Sequence, residues 1–232
     1  MALHSGHRQR LKDRFRQDGL DGFNELNALE LLLFYCIPQK DTNPLAHHLL
    51  DHFGSFHAVL DASPEELEKV EGVGHNISTF LSLIPQVDRY YYKSKNENVK
   101  YINNIEEYKN YIVPYFRNKR NESVCILCLD GTNRILTCRE LGEGGVNSAG
   151  VPLRKIVDTA MKFDAVKVIL AHNHPSGDPK PSIDDIQATK TLARALAAVD
   201  IILEDHVVVV GDRGVSMAQT NVYRPSDFVT WR

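Results

Sequence analysis

The sequence predicts an all-α N-terminal region followed by an α/β domain, with the chemistry in the second part. Three observations carry this. Up to about residue 87, apolar residues recur at helical spacing between caps and tight turns. From residue 122 onward, short apolar runs with strand character alternate with helical patterns, the signature of a layered α/β arrangement. Between one such run and one such helix lies H-N-H-P-S-G-D-P-K-P-S-I-D-D, residues 172–185, the most chemically loaded stretch in the chain.

In chain order, Arg8, Arg10, Lys12, Arg14 and Arg16 are interleaved with polar residues, as on a solvated helix face or a phosphate-contacting arm. Residues 25–35 (E-L-N-A-L-E-L-L-L-F-Y) and 43–52 (N-P-L-A-H-H-L-L-D-H) read as helices, the second with Pro44 at a first helical position after Asn43. Ser63, Pro64 and Glu66 form a capping-box pattern, opening a helix that runs through Leu67 and Val70 to Gly72-Val73-Gly74. A further helix starts near Asn76. Helix, G-V-G, helix is the pattern of a helix-hairpin-helix, whose glycines let backbone N–H groups approach a phosphate. Glu65, Glu66, Glu68 and Glu71 make the surroundings acidic, so a hairpin that packs helices or docks a partner competes with a DNA clamp. His47, His48, His52 and His57 show no metal-binding spacing.

Residues 90–100 (Y-Y-Y-K-S-K-N-E-N-V-K) turn polar and read as a linker, dividing a helical domain, 1–97, from a second domain, 98–232. There a helix over 105–117 precedes a strand over 122–129, a turn at Gly131-Thr132-Asn133 and a returning strand over 134–140. A connection rich in glycine (Gly142, Gly144, Gly145, Gly150) lacks the lysine of a phosphate-binding loop. A helix over 152–163, a buried strand over 166–171, a helix from Ser182 to Ala197 and a strand over 205–210 complete the layers.

His172 and His174 occupy alternate positions on an extended segment, so both imidazoles point the same way. The turn through Pro175, Gly177, Pro179 and Pro181 brings the chain back, with Ser182 at a helix N-cap and Asp185 on its first turn. Two imidazoles and one carboxylate, with a fourth position left for water, are the ligand set of a catalytic zinc site. Loop histidines with Asp185 merely favouring the helix dipole are the plainer alternative. Hydrolysis at such a site needs a carboxylate proton shuttle and an oxyanion donor, and Ser182 stands ready as the donor. By spacing alone the shuttle is Glu122, Glu140 or Glu143, with Asp205 and His206 more remote and better suited to supporting roles.

The 232 residues and net charge of −3 describe an ordinary protein with room for one or two cores, and argue against a generally basic nucleic-acid binder. Cys125 and Cys128 lie three apart in an apolar strand and so face opposite sides, which argues against joint metal binding or a disulfide and for a role as buried small hydrophobes. Cys36 and Cys138 suggest no disulfide framework either, as befits a reducing compartment. With neither a signal-peptide apolar region nor a bilayer-length span, the expected location is cytoplasmic, away from the membrane.

The stretch H-N-H-P-S-G-x-x-x-P-S-x-x-D is similar to the signature of the RadC family, and fits the JAMM metalloprotease pattern of JAB/MPN domains, H-x-H-x7-S-x-x-D with an upstream glutamate. E-S-V-C-I-L-C-L-D, R-E-L-x-x-G-G-V, R-K-I-V-D-T-A and L-E-D-H-V-V-V resemble further RadC segments, as E-L-L-L-F-Y and V-E-G-V-G resemble the family's helical region. The resemblance implies a cytidine-deaminase-like JAB/MPN fold after the helix-hairpin-helix-like domain. It also implies a zinc-dependent peptidase or isopeptidase acting on a protein or peptide. His172, His174 and Asp185 would bind Zn2+, Glu122 would act as general base and then acid, and Ser182 would stabilise the oxyanion. By position in the family pattern Glu122 outranks Glu140. The family's association with DNA repair implies, as the alternative, DNA binding through the helical region.

Overall fold

The computed structural model describes residues 3–145 and 151–228; Gly150 of the glycine-rich connection lies outside the described residues. The chain divides into two compact units, Met1–Val87 and Asp88–Arg232. The division falls earlier than the expected boundary at 98.

The first unit is helical: α1 (Leu3–Asp18), α2 (Glu25–Cys36), α3 (Asn43–Phe53), α4 (Phe56–Asp61), α5 (Pro64–Leu67) and the beginning of α6 (His75–Lys95). Its core joins Leu29 and Leu33 of α2, Ala46 and Leu49 of α3, Val59, Leu67 and Leu81. The sequence places the caps well. Asn24 accepts from Asn27 N–H, and Ser63 and Glu66 make a reciprocal capping box. Helix α3 begins at Asn43 itself, and it is the Asp41 carboxylate that accepts Asn43 N–H at 3.0 Å. Gly72 takes φ +91° between α5 and α6, a backbone state that favours glycine.

Residues 90–95 are helical, not linker, because α6 continues to Lys95. The stretch is polar but has no glycine or proline, and its side chains are held within the second unit. Arg117 lies 3.9 Å from the Tyr92 ring centroid, and Lys93 4.1 Å from that of Tyr115.

In the second unit, α7 (Ile105–Ile112) stops short of 117 because Pro114 lies in the following turn. Strands β1 (Ser123–Leu129), β2 (Ile135–Glu143), β3 (Lys167–Asn173), β4 (Ile202–Val210) and β5 (Arg213–Ser216) form one mixed sheet of order β2-β1-β3-β4-β5. Helices α8 (Leu153–Lys162) and α9 (Ile183–Ala197) complete the unit. Strand β1 is antiparallel to both β2 and β3, and β3 is parallel to β4.

Residue parity decides which face each side chain joins. Val124, Ile126, Cys128, Val168, Leu170 and Val208 pack with α8 and α9. Cys125, Leu127, Leu129, Ile169, Ala171, Val207 and Val209 pack with α7. Cys125 and Cys128 thus fall on opposite faces. All of β1 is buried, since both of its faces are covered. The same parity sends His172 and His206 towards α9, and Asn173 and Asp205 towards the α7 face. Among the described residues no helix is long and apolar enough to cross a membrane.

Candidate metal centre

The register of the β1–β3 pair sets the site. Val124 lies opposite His172, so two residues further along, Glu122 falls opposite His174 at the open end of the pair. Helix α9 brings in the remaining carboxylate. Ser182 caps it: its hydroxyl oxygen accepts Asp185 N–H at 3.0 Å, and Asp185 Oδ2 accepts from Ser182 N–H at 2.7 Å and from its hydroxyl at 2.6 Å. This reciprocal box fixes the Asp185 rotamer and turns Oδ1 towards His172.

Glu122, His172, His174 and Asp185 each offer a ligand atom, all within 4.8 Å of one another. His172 Nε2 stands 2.9 Å from His174 Nε2 and 3.3 Å from Asp185 Oδ1, and His174 Nε2 stands 3.3 Å from Asp185 Oδ2. Ligands held about 2.0–2.1 Å from a tetrahedral zinc are separated by about 3.3 Å along each edge. Each nitrogen thus stands at that spacing from one oxygen of the Asp185 carboxylate, and the two nitrogens are somewhat closer to each other.

The proline-glycine turn contributes more than a reversal. Gly177 adopts φ +85°, and the turn carries the Asp178 carbonyl back to His174 Nδ1, 2.8 Å away. That carbonyl can only accept, so the imidazole hydrogen sits on Nδ1 and His174 Nε2 presents a bare lone pair to the cluster. The chemistry of the donor set fits a divalent cation with nitrogen and oxygen ligands, such as Zn2+.

His172 and His206 are completely buried, and Asp185 is nearly so. Burial pushes the Asp185 carboxyl up, but the neighbouring His172 and the hydrogen bonds from Ser182 outweigh it and hold Asp185 well below the usual carboxylate range. Burial pushes His206 well below the ordinary histidine range, so it is neutral in the fold.

The other carboxylates proposed as shuttles sit elsewhere. Glu140 pairs with Lys119 Nζ at 2.6 Å, and Glu143 accepts from the Asn121 amide at 3.0 Å. Asp205 is sealed in the core, accepting from the Tyr108 hydroxyl and from the His206 and Ala218 N–H groups. His206 is a supporting residue, its Nε2 2.8 Å from His172 Nδ1.

Two contributors escaped the sequence reading. Asn173, between the histidines, points to the opposite face and binds the chain on both sides of Glu122. Its oxygen accepts from Ser123 N–H and hydroxyl, and its amide donates to the Asn121 carbonyl. Thr189 lies one helical turn beyond Asp185 and reaches His206. That spacing of four on α9 was the available signal for Thr189. Beside His174 opens a cleft of about 360 Å3, lined by Phe116, Lys119, Pro175, Val209 and Asp212 among others.

A family model described as RadC-like JAB domain matches residues 102–222. The chain is also similar to UPF0758 protein FN0909 of Fusobacterium nucleatum subsp. nucleatum, with 36% identity over 211 residues that cover 88% of this chain and 91% of that protein.

Proposed function

Because the chain belongs to the RadC-like JAB domain family, we propose that it is a zinc-dependent, JAMM-type hydrolase of amide or isopeptide bonds in a protein or peptide. The observation that carries this is the convergence of Glu122, His172, His174 and Asp185, brought from a strand start, a strand end and a helix start to within 4.8 Å. The mixed sheet flanked by helices supports the cytidine-deaminase-like form of the JAB/MPN fold.

His172, His174 and Asp185 hold the metal. A zinc ion there supplies water activation near neutral pH and Lewis-acid polarisation of a carbonyl. Glu122 takes the proton of the attacking water and returns it to the leaving nitrogen, the paired base and acid roles that amide cleavage needs. Ser182 donates its hydroxyl hydrogen to the oxyanion by rotating away from Asp185 Oδ2, which keeps the Ser182 N–H bond meanwhile. The cleft beside His174 takes the substrate segment next to the scissile bond.

The alternative, DNA association through a helix-hairpin-helix-like region, draws on the Gly72–Gly74 turn. Of the basic stretch, Arg8 donates to the carbonyls of Ile37 and Pro38 within its own unit. Retention on DNA at low salt with a steep salt dependence is the outcome that supports this reading.

The test of the hydrolase is metal content and peptide or isopeptide cleavage in wild type, His174→Ala and Glu122→Gln. Stoichiometric zinc in wild type and Glu122→Gln, zinc lost in His174→Ala and cleavage by wild type alone are expected. Wild type that cannot be loaded, or that cleaves no better than Glu122→Gln, ends the reading.

A further inference from the structure

Behind His172 stands His206, and behind His206 stands Thr189, all three fully or almost fully buried. We infer that Thr189 and His206 are positioning residues, a hydrogen-bond row that sets the His172 imidazole in the tautomer with a bare Nε2 facing the metal position. This rests on His172 being a metal ligand.

The hydrogens can be followed one by one. The Thr189 hydroxyl lies 2.6 Å from the main-chain oxygen of Asp185, one turn back along α9, a pairing that helical threonines make readily. Its other acceptor, Met217 Sδ, is 3.5 Å away and weak. With its one hydrogen on the Asp185 carbonyl, Thr189 turns only lone pairs towards His206 Nδ1, 2.5 Å away, so that nitrogen carries a hydrogen. A neutral imidazole has one N–H, which leaves His206 Nε2 bare. The 2.8 Å contact from His206 Nε2 to His172 Nδ1 then requires the hydrogen on His172 Nδ1. His172 Nε2 is left as a lone pair, 2.9 Å from the bare Nε2 of His174 and 3.3 Å from Asp185 Oδ1, three acceptors that a cation between them satisfies.

The row has one other self-consistent sense, in which every hydrogen shifts towards the site and His172 Nε2 becomes a donor. In that sense His172 cannot ligate. Without metal, Asp185 Oδ1 and His174 Nε2 draw the row into that sense. A cation at the site excludes it, and the bond from Thr189 to the Asp185 carbonyl supports the change, so the helix that supplies the carboxylate ligand also steadies the imidazole that joins it. A valine at 189 keeps the shape and removes the acceptor for His206 Nδ1–H. The reversed sense then becomes the better satisfied one, and metal binding has to work against it.

The experiment combines nitrogen-15 NMR of the imidazoles in the zinc-loaded protein with zinc affinity by chelator competition. Wild type is expected to show His172 and His206 as Nδ1–H tautomers. Thr189→Val is expected to bind zinc about 10- to 100-fold more weakly and to move the His206 Nδ1 resonance, and Thr189→Ser to restore both readings. His206 found as Nε2–H in wild type, or a folded Thr189→Val with wild-type zinc affinity, overturns the inference. If Thr189→Val fails to fold, the wild-type tautomers decide alone. Wild type that binds no zinc removes instead the premise that His172 is a ligand, which separates the two failures.

Discussion

The side-chain oxygen of Asn173 accepts two hydrogen bonds from Ser123, one from its amide at 2.8 Å and one from its hydroxyl at 3.0 Å. Both residues are buried, so both donors depend on that oxygen. The pair ties the start of β1 to the end of β3 beside Glu122. Asn173→Ala should cost about 1–3 kcal/mol, the penalty for leaving buried donors unmet. Urea unfolding measures the loss. Hydrogen exchange at the Ser123 amide should accelerate while zinc stoichiometry stays that of wild type.

Zinc should stabilise the fold by mass action. At a free concentration a hundredfold above its dissociation constant it should add about 2.7 kcal/mol, provided that it ignores the unfolded chain. Thermal unfolding with and without zinc reads this as a raised Tm in wild type. The rise should vanish in His174→Ala, which keeps the fold but loses a ligand.

Tyr108 donates its hydroxyl hydrogen to Asp205, a carboxyl that burial pushes above its ordinary range despite the donors around it. Removing a donor from such a group costs about 1.5–3 kcal/mol. Tyr108→Phe should lose stability on that scale in urea unfolding. Zinc affinity should not move, since Asp205 lies on the sheet face opposite His172.

Cys125 and Cys128 should resist alkylation in the native protein. Burial pushes the Cys128 thiol up to about 12 and the Cys125 thiol well above its usual value, so neither supplies thiolate near pH 8. Mass spectrometry after a maleimide pulse should find label at these two positions only once denaturant is present.

What the sequence disclosed about the site was its local part. His172 and His174 follow from strand period, and Ser182 with Asp185 from a capping box. Both patterns are complete within a few residues of chain. Glu122 was different: spacing left it level with Glu140 and Glu143, and only the family resemblance favoured it. The β1–β3 register brings it opposite His174, a tertiary fact with no local signature. Asn173 and Thr189 were passed over because each reads locally as something ordinary, a polar strand residue and a mid-helix threonine. Strand β5 and helix α4 are too short for periodicity to reveal. The end of α6 reads as linker because the contacts that hold it, Lys93 with Tyr115 and Tyr92 with Arg117, lie far apart in sequence.

The β1–β3 pairing has a consequence for the birth of the protein. Ser123 and Asn173 are 50 residues apart in sequence, and His172 and His206 are 34 apart. On the ribosome, His172 and His174 emerge before Asp185, and well before the strand that carries His206. A nascent chain therefore displays two histidines with neither their carboxylate partner nor their buried neighbour, and holds metal no better than any loose pair of imidazoles. Only when β4 has left the exit tunnel and closed against β3 does His172 gain its buried neighbour, so on the proposed metal-binding reading capture belongs to the finished domain and not to the growing chain.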